Sequence, residues 1–529
     1  MKNYINCFKK ENIIYKIITI GLIAFVFLFF FKVINNSIEG LVYPKERYEL
    51  VNVRFTQSIL DGNNPFFRRE KVAYGTEPPI VYEYAFVNSL VCALVSILIG
   101  GNTLVAHYIV SFLAMIGTGL LGAGFVGQKS KTTVGPTLCF VLLMFCHWRY
   151  GYISAAPDSM GLLLTVLVLY IATRDNFKYK EILCCLGLIL IFYTKQYMVG
   201  ICFSLFIYFL MVSGKSAIKF LVMCLILTPI SIIVVTIFMP YYWEYSVLFL
   251  LLGSQGRPLI DGLKYVLEQF SYLSFIFAGL YIVMIAWLTK QCVAKNDNGE
   301  RKSLGNIRLF IINIIVQIVA VAYFARNDGT YLTYFLQMLY PSIVIVSTIA
   351  LDNTEWCKLK WVSYIICGMC VLFTVYFGWH KLPMHSLSNE EREVWQEAYS
   401  FLDENRDKGE ISHYYSTSMY GYYHGDSLFQ TGHDGCINEI AYRRWEKSPL
   451  YQKIFPEAKF IMEETFDYRN ITLEKIKEHQ ISVVVRPYNN EWYISKEYLK
   501  ESGYSMVKEL DLAVGNMIYP TEFWLYNAE

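Results

Sequence analysis

Residues 13–34 read IIYKIITIGLIAFVFLFFFKVI, and this stretch decides the fold class. Lys16 and Lys32 are its only charged side chains, and nearly all the others are apolar. About 20 consecutive apolar residues form a helix long enough to cross the hydrocarbon core of a bilayer. The stretch therefore predicts a transmembrane helix. Because no small-residue cleavage site follows it, we interpret it as an uncleaved span whose N-terminus lies in the cytoplasm.

Similar apolar runs recur along most of the chain. Ten of them predict further spans, at residues 104–126, 133–148, 157–173, 183–196, 197–213, 218–239, 271–289, 309–325, 331–351 and 360–379. The 529 residues are 55% hydrophobic and only 17% charged, against about 25% charged in soluble proteins. This composition excludes a soluble enzyme, a disordered chain and a fibrous repeat. The 13 cysteines lie mostly within the apolar runs, so we expect no disulfide framework.

Charge divides the chain into two parts. Residues 380–529 hold 25 acidic and 16 basic side chains, whereas the rest of the chain holds 19 acidic and 30 basic ones. We expect a membrane domain at 1–379 and a water-exposed tail domain at 380–529. No basic patch with interleaved aromatic residues is present, so we expect no nucleic acid partner.

The apolar run at residues 80–100 decides the orientation of everything after it. If it does not cross, five later loops with 14 Lys and Arg residues face the cytoplasm, and the loops on the opposite side hold five. The positive-inside rule favours this arrangement. We therefore predict eleven spans in the plasma membrane, an amphipathic surface segment at 80–100, a first outer loop at 35–100 and an extracytoplasmic tail. The alternative has twelve spans and a cytoplasmic tail.

The tail alternates between strand and helix patterns, which favours a small α/β domain. The predicted helices are 389–404, 473–479 and 495–502, and the predicted strands are 459–462, 482–486 and 522–526. Three tail histidines, His413, His424 and His433, lie near Asp426 and Asp434. Their spacing matches no standard zinc pattern, so we interpret them as parts of tyrosine-rich surface loops.

Two carboxylates stand out in the first outer loop. Glu46 and Glu49 are three residues apart, so on a helix they share a face close to the membrane surface. A carboxylate in that position can take a proton from an acceptor hydroxyl group. The alternative interpretation is a solvated helix face on which Glu46 pairs with a neighbouring arginine.

Other charged residues fall at the outer ends of the predicted spans. Asp158 heads one span, Lys195 separates two apolar runs, and Arg149 and Arg326 lie at the ends of others. Charges at membrane depth are expensive and are candidates for function. The three cations suit an anion at headgroup level, such as a phosphate or a diphosphate. Alternatively, each one simply reaches from its helix to the interface.

With these residues in place, the chain resembles the GT-C superfamily of membrane glycosyltransferases. Within it, the bacterial group related to protein O-mannosyltransferases and lipid A aminoarabinose transferases is the most similar. The motifs that carry the resemblance, in order, are Glu46-Arg-Tyr-Glu49, Ile59-Leu-Asp-Gly-Asn-Asn-Pro-Phe66, Glu77-Pro-Pro-Ile-Val-Tyr82, Ala156-Pro-Asp158, Tyr193-Thr-Lys195 and Arg326-Asn-Asp-Gly-Thr-Tyr331. They cover about residues 1–380. Many relatives have adjacent Asp and Glu in the first motif, and here the two glutamates are separated.

The resemblance implies a GT-C-like helical bundle that transfers a sugar, with inversion, from a polyprenyl-phosphate donor to an extracytoplasmic hydroxyl group. It implies a catalytic set of Glu49, Glu46 and Asp158, in which spacing to the turn at Gly62 favours Glu49 as the base. Lys195, Arg326 and Arg149 would hold the donor phosphate. Substrate contacts are implied for Arg47, Tyr82, Asp328 and Tyr331.

Partners and rival functions follow from the same residues. The expected partners are a polyprenyl-phosphate-linked sugar, an extracytoplasmic acceptor and the lipid bilayer. No ligand cluster demands a cofactor, although some relatives use a divalent metal. The alternatives are a transporter or flippase of envelope lipid or glycan, and another envelope enzyme such as a polymerase or an acyltransferase. An acyltransferase would show a spanning histidine near an acid, and His107 has no such neighbour in its span.

Overall fold

The computed structural model describes residues 2–44, 49–62, 86–151, 155–174, 177–248, 252, 258, 260–261, 264, 280–291, 305–324, 333–352, 387–426, 442–488, 494–514 and 517–527. Helices dominate the first part. They are α1 (Lys2–Lys10), α2 (Ile13–Gly40), α3 (Glu49–Leu60), α4 (Val87–Leu98), α5 (Thr103–Lys129), α6 (Val134–Gly151), α7 (Asp158–Ala172), α8 (Lys180–Phe192), α9 (Ile201–Val212), α10 (Gly214–Phe238), α11 (280–291), α12 (Ile307–Phe324) and α13 (Thr333–Asp352).

Apart from α1, α3 and α4, which were not predicted as spans, the helices coincide with the predicted spans as far as residue 352. The predicted span 271–289 is described only from residue 280, where it is helical, and the span 360–379 lies outside the described residues. Among the described helices, α2, α5 and α10 are long and apolar enough to cross a membrane. Their outer faces expose large apolar side chains such as Phe27, Leu120 and Ile237, which suits contact with lipid. The predicted membrane bundle is confirmed as a fold class.

Side-chain caps fix where two of the long helices begin. The Asn12 side chain accepts a hydrogen bond from the N–H of Ile14 at the start of α2. The Asn102 side chain does the same for Val105 at the start of α5, over 3.0 Å. Each cap satisfies a backbone N–H group that has no partner within its own helix.

The amphipathic segment predicted at 80–100 contains α4, whose 12 residues span about 18 Å. This is shorter than the hydrocarbon core of about 30 Å. Phe86, just before α4, packs in a cluster with Trp445 of the tail, and Thr103, just after it, hydrogen-bonds to Tyr422 of the tail over 3.0 Å. Because both ends of α4 contact the tail, α4 starts and finishes on the tail side of the bundle.

The tail domain is a mixed α/β unit. Its elements are helices α14 (Asn389–Asn405), α15 (Ser418–His424), α16 (Pro449–Ile454), α17 (Ala458–Lys477) and α18 (Lys496–Glu501), and strands β1 (Glu410–Ser412), β2 (Ile481–Pro487), β3 (Tyr504–Val514) and β4 (Met517–Tyr526). The strand order in the sheet is β1-β2-β4-β3, with β1 parallel to β2 and the other pairs antiparallel. A capping box between Ser388 and Glu391 begins α14.

Apolar side chains cover both faces of this sheet. On one face, Trp395 of α14 packs with Val483 and Phe523, and on the other, Leu499 of α18 packs with Val484 and Trp524. The predicted strands 482–486 and 522–526 and the predicted helices 389–404 and 495–502 are confirmed. The predicted helix 473–479 lies largely within α17. The predicted strand at 459–462 is wrong, because those residues also belong to α17.

Candidate active site on the tail side of the bundle

Lys195 and Asp158 form an ion pair inside the bundle. The Lys195 side chain is 0% exposed and that of Asp158 is 6% exposed. Lys195 lies in the turn after α8, where its N–H donates to the carbonyl of Ile191 over 2.8 Å. Asp158 is the first residue of α7, so the positive end of the helix dipole stabilises its negative charge. The sequence motifs at Ala156–Asp158 and Tyr193–Lys195 are thus brought together by α7 and α8.

Two further residues, Tyr197 and Gly161, lie close to this ion pair. The Tyr197 hydroxyl donates to Oδ1 of Asp158 over 3.3 Å, and Lys195 Nζ lies 5.2 Å from the centre of the Tyr197 ring. Gly161 is one turn after Asp158, and a Cβ atom there would lie 2.5 Å from Sδ of Met198. The absence of a side chain at Gly161 therefore lets α7 approach the turn that holds Lys195.

His107 connects this region to α3, the helix that begins at Glu49. His107 lies in α5 and is 1% exposed. Its Nε2 atom is 2.7 Å from Oγ1 of Thr56 in α3, and the imidazole also hydrogen-bonds to the backbone of Asn52 and of Ala155. Ala155 lies three residues before Asp158. One buried imidazole thus links α3 to the segment that leads into Asp158.

The tail domain contacts α3 from the other side. Arg54 in α3 donates to the backbone carbonyl of Asp426 over 2.9 Å and lies over the ring of Tyr422 at 5.7 Å. The side chain of Asp426 also accepts hydrogen bonds from Arg406, over 2.6 and 3.0 Å. α3 and the tail therefore lie on the same side of the bundle, at the end that holds Lys195.

Asp426 is also the partner of one of the three tail histidines. His413 is fully buried and its Nε2 atom lies 2.9 Å from Oδ2 of Asp426. Burial lowers the pKa of His413 below its ordinary value, and this effect outweighs the opposing influence of Asp426. Burial raises the pKa of Asp426, but hydrogen bonds from His413 and Arg406 outweigh it and hold that pKa below its ordinary range. His413 is thus a buried structural residue rather than part of the predicted surface loops.

A carboxylate that the sequence did not single out lies close by. Glu244 begins a short π-helix, Glu244–Leu248, and is 4% exposed. Gln196, next to Lys195, donates to the backbone carbonyl of Ser246 in that helix over 3.0 Å. Burial raises the pKa of Glu244 to about 7, and the charge of Glu457 acts in the same direction. Oε2 of Glu244 makes no hydrogen bond within the part of the chain that the structure describes.

The remaining predicted site residues are only partly described. Glu49 is the first residue of α3 and Arg149 lies in the last turn of α6, but neither side chain is among those described. Six predicted site residues lie outside the described residues altogether: Glu46, Arg47, Tyr82, Arg326, Asp328 and Tyr331. Among the described residues, no group of three or more His, Cys, Asp or Glu side chains is arranged to hold a metal ion.

Three described residues with contacts at this end were not predicted as functional. Each of His107, Arg54 and Glu244 has a feature in the sequence from which it could have been identified as a candidate. A histidine within an apolar span, or a carboxylate just beyond one, is expensive to bury and therefore marks a specific partner. Arg54 follows Glu49 by little more than one helical turn, so it shares the same helix.

Comparison with solved structures gives a likeness over nearly the whole chain. The crystal structure of ArnT from Cupriavidus metallidurans bound to undecaprenyl phosphate aligns with a TM-score of 0.56 at 12% sequence identity, covering 94% of this chain and 98% of that chain. The apo structure of the same protein gives a TM-score of 0.53 at 12% identity with the same coverage. No protein-family model and no curated protein sequence matches the chain. The chain therefore shares the fold of these two ArnT structures.

Proposed function

We propose that this chain is an integral membrane glycosyltransferase that moves a sugar from a polyprenyl-phosphate donor to an acceptor hydroxyl group on the tail side of the membrane. The observation that carries the proposal is the buried ion pair of Lys195 and Asp158, at the tail end of the bundle and linked to α3 through His107. The likeness to ArnT, whose crystal structure holds undecaprenyl phosphate, supports a lipid-linked donor.

In this proposal the cations hold the donor phosphate. Asp158 offsets the charge of Lys195, so the net positive charge at the donor phosphate comes from Arg326 and Arg149, and the ammonium group of Lys195 adds N–H donors in a medium of low dielectric constant. Arg326 and Arg149 complete the phosphate site. As the sugar leaves, negative charge grows on the lipid phosphate, and these cations lower the energy of that transition state.

The carboxylates of the first outer loop act on the acceptor. Glu49, with Glu46 as the second candidate, takes the proton of the acceptor hydroxyl group. The acceptor oxygen forms a bond to the anomeric carbon from the face opposite the phosphate, and the bond between that carbon and the phosphate oxygen breaks. The products are an inverted glycoside, a polyprenyl phosphate and a protonated glutamate. Asp158 orients Lys195 and the acceptor.

The remaining substrate contacts come from two loops. Arg47 and Tyr82 belong to the first outer loop, and Asp328 and Tyr331 follow α12. In this scheme they contact the sugar and the phosphate that links it to the lipid. No step in this scheme passes through a metal ion.

The proposal is tested by sugar transfer in reconstituted membranes. The full chain in lipid nanodiscs is given a set of undecaprenyl-phosphate sugars and an envelope lipid extract, and products are identified by mass spectrometry. Glu49→Gln should lower the transfer rate about 10²- to 10⁴-fold, which is the usual size of a general-base contribution. Glu390→Gln, an exposed position of α14, is the matched control and should keep the parent rate.

Donor binding is measured separately from turnover. Lys195→Gln should weaken binding of undecaprenyl phosphate, whereas Lys219→Gln, in a partly exposed ion pair with Glu181 on α8, should not. A parent chain that binds the lipid and carries it across vesicles unchanged would be a transporter, and the proposed chemistry would be wrong.

A further inference from the structure

A short part of the tail has a charge opposite to the rest of it. Residues 442–459, which we name the basic segment, hold five Lys and Arg residues and two Glu residues. The tail as a whole holds 25 acidic and 16 basic side chains. Of these cations, Arg444 donates to the backbone carbonyl of Leu252 over 2.6 Å, whereas Lys447 and Lys453 are exposed.

The basic segment is attached to the end of a lipid-facing helix. Trp445 and Ala458 are buried in one cluster with Val235 and Met239, which lie at the end of α10. Trp445 Nε1 also donates to the carbonyl of Phe455 over 2.9 Å, which holds the two ends of the basic segment together. The basic segment is therefore fixed at the level where α10 leaves the membrane.

Exposed apolar side chains occur both at the end of α10 and in the basic segment. Ile237 and Phe238, in the last turn of α10, are 68% and 62% exposed. In α16, Leu450 is 63% exposed and Ile454 is 54% exposed. Trp445 and Ala458, on either side of α16, are buried in the cluster with α10. Lys447 and Lys453 are exposed beside them.

Exposed Leu and Ile side chains flanked by Lys and by Trp or Tyr are typical of segments that lie in a membrane interface. Lysine side chains at that level attract anionic headgroups. We propose that the basic segment docks on the tail-side leaflet, with Leu450 and Ile454 inserted at the boundary between headgroups and acyl chains. This contact fixes the tail domain close to the membrane surface, and it holds whether or not the chain transfers a sugar.

Quenching of a site-attached fluorophore tests the insertion. Leu450→Cys, Ile454→Cys and a control, Met506→Cys on β3, are labelled with nitrobenzoxadiazole in the full chain. Met506 is 47% exposed and lies in a strand at the edge of the sheet. The chains are reconstituted in vesicles of phosphatidylcholine and phosphatidylglycerol, and the unsubstituted chain, labelled in parallel, gives the background from native cysteines. Brominated lipids should quench positions 450 and 454 at least about twofold more than position 506.

The charge is tested with Lys447→Gln and Lys453→Gln combined. In vesicles that contain phosphatidylglycerol, this double variant should lose part of the quenching at position 450, and in pure phosphatidylcholine it should match the parent. Aqueous iodide reaching positions 450 and 454 as well as it reaches 506 would overturn the proposal. So would protection of both positions from both quenchers, which would show that protein, rather than lipid, covers them.

Discussion

Lys195 and Asp158 form a buried ion pair that joins the turn after α8 to the first residue of α7. Removing two charges from water costs several kcal/mol of free energy for each ion, and the attraction between the two ions offsets this cost only with good geometry. The hydrogen bond from Tyr197 and the helix dipole at Asp158 both stabilise the charged form of the Asp158 carboxylate. The pair lies close to the segment that His107 links to α3, which is why it is central to the proposed site.

The first prediction concerns the stability of this pair. Asp158→Asn and Lys195→Met should each destabilise the chain by about 3–5 kcal/mol, because each leaves one buried charge without its counter-ion. The double variant should lose less than the sum of the two. Melting temperatures in nanodiscs measure this, and purely additive losses would contradict the pairing. Lys219→Gln is the control, with a loss of at most about 1 kcal/mol, since the Lys219 side chain is 47% exposed.

The second prediction concerns the link between α3 and α5. Thr56→Val removes the hydrogen-bond partner of His107 Nε2 and should destabilise the chain by about 1–3 kcal/mol, because the imidazole stays buried. Thermal unfolding of the purified chain provides the measurement. Thr118→Val is the matched control, because among the residues that the structure describes the Thr118 hydroxyl donates to the carbonyl of Ala114 in its own helix and to no other group. Equal losses in the two variants would show that the 2.7 Å contact has no special role.

The third prediction concerns the pH dependence of the tail. Burial depresses the pKa of His413 in the folded chain, so below its ordinary value of 6.5 the unfolded chain binds more protons than the folded one. Tail stability should therefore be complete above pH 6.5 and should fall as the pH drops below it. His413→Gln should flatten this slope in a series of thermal melts, while Asp426, Arg406 and His424 still surround the position. A slope that is unchanged in the variant would assign the effect to another group.

The fourth prediction concerns Glu244, for which stability should change with pH in the direction opposite to that of His413. The folded-state pKa of this carboxyl group is raised to about 7 from an ordinary 4.5. Its contribution to stability is therefore complete below pH 4.5 and is lost as the pH rises through 7. Glu244→Gln cannot ionise, so relative to the parent it should gain stability between pH 6 and pH 8. Melting temperatures of the two chains, measured from acidic to neutral pH, should converge below about pH 4.5, and parallel curves would exclude titration of Glu244.

The sequence predicted the helical bundle well because hydrophobicity and length are local properties. A run such as residues 13–34 needs no partner elsewhere in the chain to satisfy its backbone inside a membrane. The strand at 482–486 was also predicted from its own composition, because its three consecutive valines suit a strand that is buried on both faces of a sheet. Short mixed runs were less informative. Residues 459–462 suited a strand by composition, but they continue into α17, because four apolar-rich residues cannot distinguish a strand from part of a helix.

Two tail strands were missed for a related reason. β3 carries exposed charges at alternate positions, Glu509 and Asp511, and it is defined by its pairing with β4 rather than by its own composition. β1 has only three residues and exists because β2 lies beside it. Strands of this kind depend on a neighbour, so a single segment of sequence does not predict them.

The sequence by itself predicted a bundle of apolar helices, an α/β fold for the tail, which holds an excess of acidic residues, and the positions of Asp158 and Lys195 at the ends of helices. Only the tertiary structure decided that these two side chains neutralise one another, that His107 connects α3 to the approach to Asp158, and that Arg54 binds the turn at Asp426. The reason is physical. Crossing a bilayer depends on one helix and the lipid around it, whereas an ion pair or a buried hydrogen bond exists only when segments far apart in the chain are packed together.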